Sequence, residues 1–297
     1  MRALVTGGMG FVGSWLCAHL EAEGDHVTPT GEEADVRDAA AIGAAVEEVQ
    51  PDAIYHLAGQ AHVGASWNDP AATYLVNVIG TVNVLDAARR LPTPPKVVVV
   101  SSAEVYGRVA PEDLPITEET PTEPMSPYAA SKIAAEVAAR QAVLGFGVPA
   151  LIARPFNHIG PRQSPTFVVS ALAKRIVDAE RSGATQLQMG NATPRRDLTD
   201  VRDVVRAYRL LVEKGTPGDI YNVASGHDVV IGDLARRLIE LSGVDLELVT
   251  DTVELRPVDV PVLRGDPGKL RHDTGWEPQI PLEETLRDVL AYWRSQD

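Results

Sequence analysis

The chain carries one cysteine, Cys17, in 297 residues. That excludes a disulfide framework and any cysteine-built zinc cluster. Basic side chains are scarce as well: 27 Lys and Arg stand against 41 Asp and Glu, a formal charge of −14. A field of that sign repels phosphate backbones and anionic lipid, so neither nucleic acid nor a membrane surface is expected as a partner. Long apolar runs are missing. The aliphatic stretch at 97–100 falls far short of the roughly 20 residues of a membrane-spanning helix. Near the start, Gly7, Gly8, Gly10 and Gly13 break the smooth apolar segment that a secretory leader needs. The expectation is a soluble chain of the reducing cytoplasm with no metal site. An anionic ligand is admitted only where arginines gather in a cleft.

What is present is an alternation of short apolar runs with helical periodicity. Strand-like runs at 3–5, 26–28, 53–57, 96–101 and 149–154 are separated by helical patterns at 11–20, 39–49, 71–90 and 128–144. Strands joined by helices of that length imply crossovers and a parallel sheet, and the unbroken valines at 97–100 suit a strand covered on both faces. Beyond residue 155 the rhythm loosens, with further helical patterns at 167–181, 201–213, 231–241 and 282–293. The fold class expected is α/β, a Rossmann-type doubly wound parallel sheet with a smaller C-terminal-weighted lobe. Residues 1–160, with part of 195–225, would form the dinucleotide-binding domain, and 161–297 mainly the substrate lobe. Ligands of such folds bind at the carboxyl ends of the strands.

Between the first strand and the first helix lies Thr6-Gly7-Gly8-Met9-Gly10-Phe11-Val12-Gly13. Gly7 permits a tight turn, Gly10 lets backbone approach a pyrophosphate, and Gly13 lets the helix sit close to the sheet; the helix N-terminus then faces the phosphates. Glu32 and Glu33, about 20 residues on, stand where an acid bonds the adenosine ribose, which leans the cofactor towards NAD over NADP. Whether they point that way or are solvated loop charges stays open, because Pro29 and Gly31 interrupt the segment.

Tyr128 and Lys132 form a Tyr-x-x-x-Lys pair on one face of a predicted helix. The ammonium is expected to lower the phenol pKa towards neutrality and so ready it for proton transfer at a carbonyl. Ser101-Ser102-Ala103-Glu104-Val105-Tyr106-Gly107 ends the strand at 96–100 and places the Ser102 hydroxyl where a reacting oxygen would lie. Together these residues suggest an enzyme, since a non-catalytic dinucleotide sensor has no need of the set.

With His56-Leu57-Ala58-Gly59 and Asn77, these motifs resemble those of the extended short-chain dehydrogenase/reductase family acting on nucleotide sugars. The resemblance spans essentially the whole chain and implies roles for its residues. Tyr128 would be the acid–base residue, Lys132 would hold it poised and bind the nicotinamide ribose, and Ser102 would orient substrate. Phe11, Val12, Leu57, Ala58, Gly59, Asn77 and Pro155 would line NAD or NADP, with Asp35 and Val36 near the adenine.

The second half resembles the GDP-mannose-processing members. Arg154-Pro155-Phe156-Asn157-His158-Ile159-Gly160-Pro161 is similar to the segment that holds a substrate diphosphate through Asn, and Arg195-Arg196-Asp197 to a phosphate clamp. Arg256 and Asp259 fall in a similar C-terminal signature. Gln60, Ser102, Glu104, Asn157, Phe167, Val168, Arg196, Arg256 and Asp259 are thus the expected substrate contacts. His158 has no histidine partner at helical spacing and reads as a packing or hydrogen-bonding residue. Ala103 stands where dehydratases have a proton-bearing side chain, whereas Glu104 fits a dehydratase base. The resemblance implies reduction of the C4 ketone of GDP-4-keto-6-deoxy-D-mannose to a GDP-D-rhamnose-type sugar by NAD(P)H. GDP-mannose 4,6-dehydration is the first alternative and 4-epimerisation the second. Family members pair through helices matching 71–90 and 128–144, so a homodimer is expected.

Overall fold

The computed structural model describes residues 1–250 and 260–296. In chain order its first half runs β1 (Arg2–Thr6), α1 (Phe11–Ala22), β2 (His26–Thr30), α2 (Ala39–Val49), β3 (Ala53–His56), α3 (Val63–Ser66), α4 (Pro70–Tyr74), α5 (Gly80–Arg90), β4 (Lys96–Val100), α6 (Pro127–Phe146) and β5 (Ala150–Pro155). The second half follows as β6 (Asn157–Ile159), α7 (Val168–Ser182), β7 (Gln186–Met189), β8 (Arg195–Asp200), α8 (Val201–Lys214), β9 (Ile220–Val223), β10 (Asp228–Val230), α9 (Ile231–Ser242), β11 (Glu247–Thr250), β12 (Val262–Leu263), α10 (Gly268–Thr274) and α11 (Leu282–Arg294).

Six strands form one wholly parallel sheet in the order β2-β1-β3-β4-β5-β9. Successive side chains of a strand point to opposite faces, and here both faces are covered. Ala3, Val5, Tyr55, Val98 and Ala153 join a core with α1 and α8. Leu4, Ile54, Val97, Val99 and Ile152 join another with α2, α5 and α6. That is why the strands read as unbroken apolar runs rather than alternations. β2 runs through Pro29, which the expected strand at 26–28 stops short of. Proline is tolerated because β2 is the edge strand.

The expected helices at 39–49, 128–144, 167–181, 201–213, 231–241 and 282–293 are α2, α6, α7, α8, α9 and α11, their ends within about two residues. The pattern at 71–90 becomes α4 and α5 joined by a π-helical turn, Leu75–Ile79. By length and hydropathy the segment Pro70–Arg90 could cross a membrane. Here it packs against α2 and α6, with Thr73, Asn77 and Thr81 buried and hydrogen-bonded.

The second half builds a smaller body on α7, α9 and α11. Its core includes Leu172, Ile176, Leu234, Leu238, Leu286 and Leu290. A small sheet in the order β10-β8-β12, with β6 beside β8, and the ladder β7–β11 complete it. β9 returns to the large sheet beside β5. The carboxyl ends of β1, β3, β4 and β5 open towards this smaller body, and the cleft lies there.

Candidate active site

The loop after β1 turns at Gly7, whose φ of +70° is the left-handed region that favours glycine. α1 then starts at Phe11 with Gly10 as an extended N-cap and no acidic residue in its first turn. A Cβ on Gly13 would stand 2.2 Å from the Gly7 carbonyl oxygen and 2.7 Å from Gly8 Cα, so only glycine lets the helix sit this close to the turn. Gly7, Gly10, Phe11, Val12 and Gly13 line a cavity of about 360 Å³ together with Leu57, Ala58, Gly59, Tyr128, Lys132 and Pro155. Free helix N–H groups at one end and apolar walls at the other fit a dinucleotide's pyrophosphate and nicotinamide.

The same cavity reaches Ser102, Glu104, Gln60 and Asn157. α6 opens with Ser126 as N-cap, its hydroxyl accepting from Ala129 N, and Pro127 in the first turn. That start sets Tyr128 and Lys132 just over one turn apart. The Tyr128 backbone N–H donates to Ser66 Oγ at 3.2 Å, and Lys132 Nζ donates to the Val100 carbonyl at 2.8 Å. Ser102 caps the 3₁₀ turn Ala103–Tyr106 by accepting from Glu104 N at 3.2 Å.

The expected lowering of the phenol pKa is not what this environment produces. Burial pushes Tyr128 up to about 12; hydrogen bonding with Ser102 pulls against that, and the charge of Glu104 adds to it. Burial likewise brings Lys132 down to about 8 against the pull of Glu136. Burial is the largest cause of both shifts, because a buried site disfavours whichever form is charged. At neutral pH the phenol keeps its proton, the state a proton donor needs.

Asn77 sits behind the cleft rather than in its wall. Its Oδ1 accepts from Gln60 N at 2.8 Å, and its Nδ2 donates to Gln60 O at 3.2 Å and to Ser131 Oγ at 2.8 Å. It therefore ties the loop after β3 to α6, from within the π-helical turn. Gln60 Nε2 donates to His62 O, which leaves Oε1 buried without a partner among the described residues, an acceptor for a ligand hydroxyl. His56 is buried between Thr6 and Thr81, at 2.8 and 3.0 Å. Asp35 is outside the cavity and forks onto Arg37. Val36 lies in the core against Gly80. The Glu33 carboxylate accepts from Gly31 N at 2.7 Å, folding back on its own loop.

A second cavity of about 590 Å³ opens from the first, sharing Glu104, Asn157, His158, Gln163 and Phe167, and adds Val168, Arg175 and Arg196. Arg196 lines it while donating to the Val260 carbonyl at 2.7 Å. Asp197 does not join a clamp there. It is fully buried and accepts from Ser225 N, Gly226 N and Gly265 N, because a carboxylate turned inward satisfies three loop N–H groups at once. Arg256 and Asp259 lie outside the described residues. His158 is a wall residue, stacked on Phe11 at 6.2 Å with Nδ1 facing the Phe156 carbonyl.

Sequence reasoning missed Gln163 and Arg175. Gln163 is buried and donates to His158 O, and no local pattern announces it. Arg175 had a signal: 168, 171, 172 and 175 recur at helical spacing and line the cavity from one face of α7.

The sequence matches the family model for GDP-mannose 4,6 dehydratase over residues 30–289. It is 38% identical to the GDP-6-deoxy-D-mannose reductase of Pseudomonas aeruginosa, covering 99% of this chain and 98% of that one. The structure of RMD from Pseudomonas aeruginosa complexed with NADPH matches with a TM-score of 0.93 at 38% identity, over 99% of both chains. UDP-glucose 4-epimerase of Thermus thermophilus, in complex with NAD, matches with a TM-score of 0.89 at 30% identity, again over 99% of both.

Proposed function

Because the chain belongs to the GDP-mannose 4,6 dehydratase family of extended short-chain dehydrogenases/reductases, we propose that it is an NAD(P)H-dependent reductase of the C4 ketone of GDP-4-keto-6-deoxy-D-mannose. The observation that carries this reading is that Tyr128, Lys132 and Ser102 line one cavity with the glycine loop after β1. A ketone reduced at C4 requires one proton, and Tyr128 is the group placed to give it.

Gly7–Gly13, Leu57–Gly59 and Pro155 would hold a reduced nicotinamide dinucleotide, which would supply the hydride when bound. Ser102 orients the C4 oxygen, and Tyr128 passes its proton to that oxygen as the carbonyl becomes an alkoxide. The phenolate left behind is stabilised by the Lys132 ammonium, 5.9 Å from the ring centre. Asn157 and Arg196 hold the diphosphate in the second cavity, where a guanidinium fork suits phosphate oxygens. Phe167 and Val168 line the sugar-nucleotide path, and the lobe formed mainly by 161–297 carries most of it.

Dehydratase activity is the second reading, and Glu104 favours it, since a carboxylate at this place can serve as a base. Among the described lining residues of both cavities it is the one carboxylate, and Ala103 beside it bears no acid. The test is incubation with GDP-4-keto-6-deoxymannose and NADPH or NADH. Loss of nicotinamide absorbance supports the reductase; turnover of GDP-mannose without it supports the dehydratase. The reading includes a homodimer paired through Leu75 and Ile79 of the π-helical turn, Val82 on α5, and Val137 and Leu144 on α6, apolar side chains that are exposed in the single chain. We place it in the cytoplasm, in keeping with a free Cys17 thiol.

A further inference from the structure

The helix face that presents Tyr128 and Lys132 continues, one turn on, to Glu136. All three side chains grip one short stretch at the end of β4. Tyr128 meets the Ser102 hydroxyl, Lys132 holds the Val100 carbonyl at 2.8 Å, and Ser101 Oγ donates to Glu136 Oε1. Glu136 is itself held from β5. Arg154 Nε and Nη2 reach its two oxygens at 2.9 and 2.6 Å, and the side chains are only 5% and 7% exposed. Arg154 lies 4.8 Å over the Tyr106 ring, and the Tyr106 hydroxyl donates to Asn222 on β9 at 2.7 Å. An ion pair taken fully out of water is a poor source of stability, and an apolar pair of similar volume often serves a core better. What this pair does supply is position, because three neighbouring strands and α6 are bound through it.

We propose that Glu136, clamped by Arg154, is a positioning residue for proton transfer, fixing residues 100–102 against the Tyr128 and Lys132 face of α6. The proposal rests on Tyr128 being the proton donor of the reduction proposed above. It has an electrostatic consequence. The ionisable groups packed about this end of α6 are His56 on β3, Glu104 and Tyr106 on the turn after β4, Arg154 on β5, Tyr208 on α8, and Tyr128 and Glu136 on α6 itself. His56 is neutral and buried. Glu136 is the carboxylate whose charge opposes the burial that drives Lys132 towards neutrality.

Three variants separate positioning from folding. Ser101→Ala removes one hydrogen bond and leaves the ion pair. Glu136→Gln removes the charge at nearly constant shape, and Glu136→Asp keeps the charge with a shorter reach. Each is measured for kcat and KM with GDP-4-keto-6-deoxymannose from about pH 6 to 10, for NADPH affinity over the same range by protein fluorescence, and for Tm. Ser101→Ala is expected to lower Tm by only a few degrees, as one lost hydrogen bond does, and to keep its NADPH affinity while kcat falls about tenfold to a hundredfold, the cost of a misplaced reacting group. In Glu136→Gln, the alkaline loss of activity and of NADPH binding both move to lower pH by about one unit, since the charge opposing desolvation is gone. Glu136→Asp returns that limb to the wild-type position with a lower kcat. Wild-type kcat in Ser101→Ala, or an unmoved alkaline limb in Glu136→Gln by both readouts, overturns the proposal. A wild-type protein that reduces no GDP-keto sugar sinks the functional reading instead, while the pH profile of NADPH binding still decides this one.

Discussion

The Lys132 ammonium lies 5.9 Å from the centre of the Tyr128 ring and donates to the Val100 carbonyl rather than to the phenol oxygen. Acidity at this site is therefore set by burial more than by the pair's mutual attraction, with the phenol near 12 and the ammonium near 8. Lys132 is charged below about pH 8 and neutral above it, while Tyr128 stays protonated throughout that range. Reduction should be level through neutral pH and fall as the pH rises through about 8. The measurement is kcat/KM against pH for ketone reduction. A rate that climbs through this interval would mean that the reactive form is the deprotonated one.

Replacing Tyr128 with Phe removes a hydroxyl and leaves a ring that is only 7% exposed, so packing is retained. The turnover number should drop by about 10²–10⁴, the usual contribution of a positioned acid. NADPH affinity and Tm should stay close to wild type. Single-turnover kinetics and calorimetric titration of the same preparation check both halves, and a variant retaining a tenth of wild-type turnover would remove Tyr128 from the proposed role.

Two glycines provide a matched pair. In Gly13→Ala the new methyl meets backbone at 2.2 Å and 2.7 Å, and backbone cannot swing aside, so the loop must shift. About 1–3 kcal/mol of stability should go, with NADPH binding weakened far more than the Tm. Gly43→Ala on α2 meets nothing within 4 Å, and a helix interior gains about 0.5–1 kcal/mol from such a change. Thermal melts with and without NADPH distinguish the two: ligand-induced stabilisation is lost in the first and kept in the second.

The parts of the site that were legible are those encoded locally. A strand–glycine–helix junction, a Tyr and Lys one turn apart, and a serine at a strand end carry their geometry in their spacing. The parts that were not depend on contacts distant in sequence. β9 adds its strand to β5 across residues 156–219, and no pattern within Ile220–Val223 says which neighbour it takes. Asn77 is recognisable as a residue but not as a clamp on Gln60, seventeen positions away. Asp197 ends a segment similar to a phosphate clamp, yet it turns inward to loop N–H groups. The direction of the Tyr128 shift fails for the same reason: a sequence shows which charges are adjacent, whereas desolvation is a property of the packed whole.

His56 makes a testable contribution to acid sensitivity. Burial holds its pKa down at about 3, against an ordinary value of 6.5, between Thr6 and Thr81. Between those two values the unfolded chain takes up a proton that the folded chain refuses. Stability therefore falls as the pH drops from 6.5 towards about 3, by up to roughly 5 kcal/mol. His56→Asn should be less stable at neutral pH, through its lost hydrogen bonds, and yet lose less on acidification. Urea midpoints at neutral and acid pH for both proteins give the comparison; equal acid losses would show that His56 does not set this slope.

Leu75, Ile79 and Val82, at 45%, 44% and 42% exposure, form a stripe at helical spacing along Pro70–Arg90. Val137 and Leu144, at 63% and 77%, extend it on the adjacent α6. Arg89 reaches across to lie 4.7 Å over Phe146, so the two helices present one surface. Scattered exposed apolar residues are ordinary, but a contiguous stripe over two neighbouring helices is the signature of an interface. Apposed by a twofold axis, it would make four helices pack as a bundle, each copy covering the other's stripe. Light scattering at tens of micromolar, roughly the range of a stable interface, should give twice the chain mass for the wild type. Val137→Glu buries an unpaired charge at the centre of that contact and should give a single chain mass, with NADPH binding retained because the cleft lies at the strand ends and not on this face. A wild type that runs as a monomer at that concentration, or a Val137→Glu variant that stays dimeric, would assign the pairing to another surface or to none.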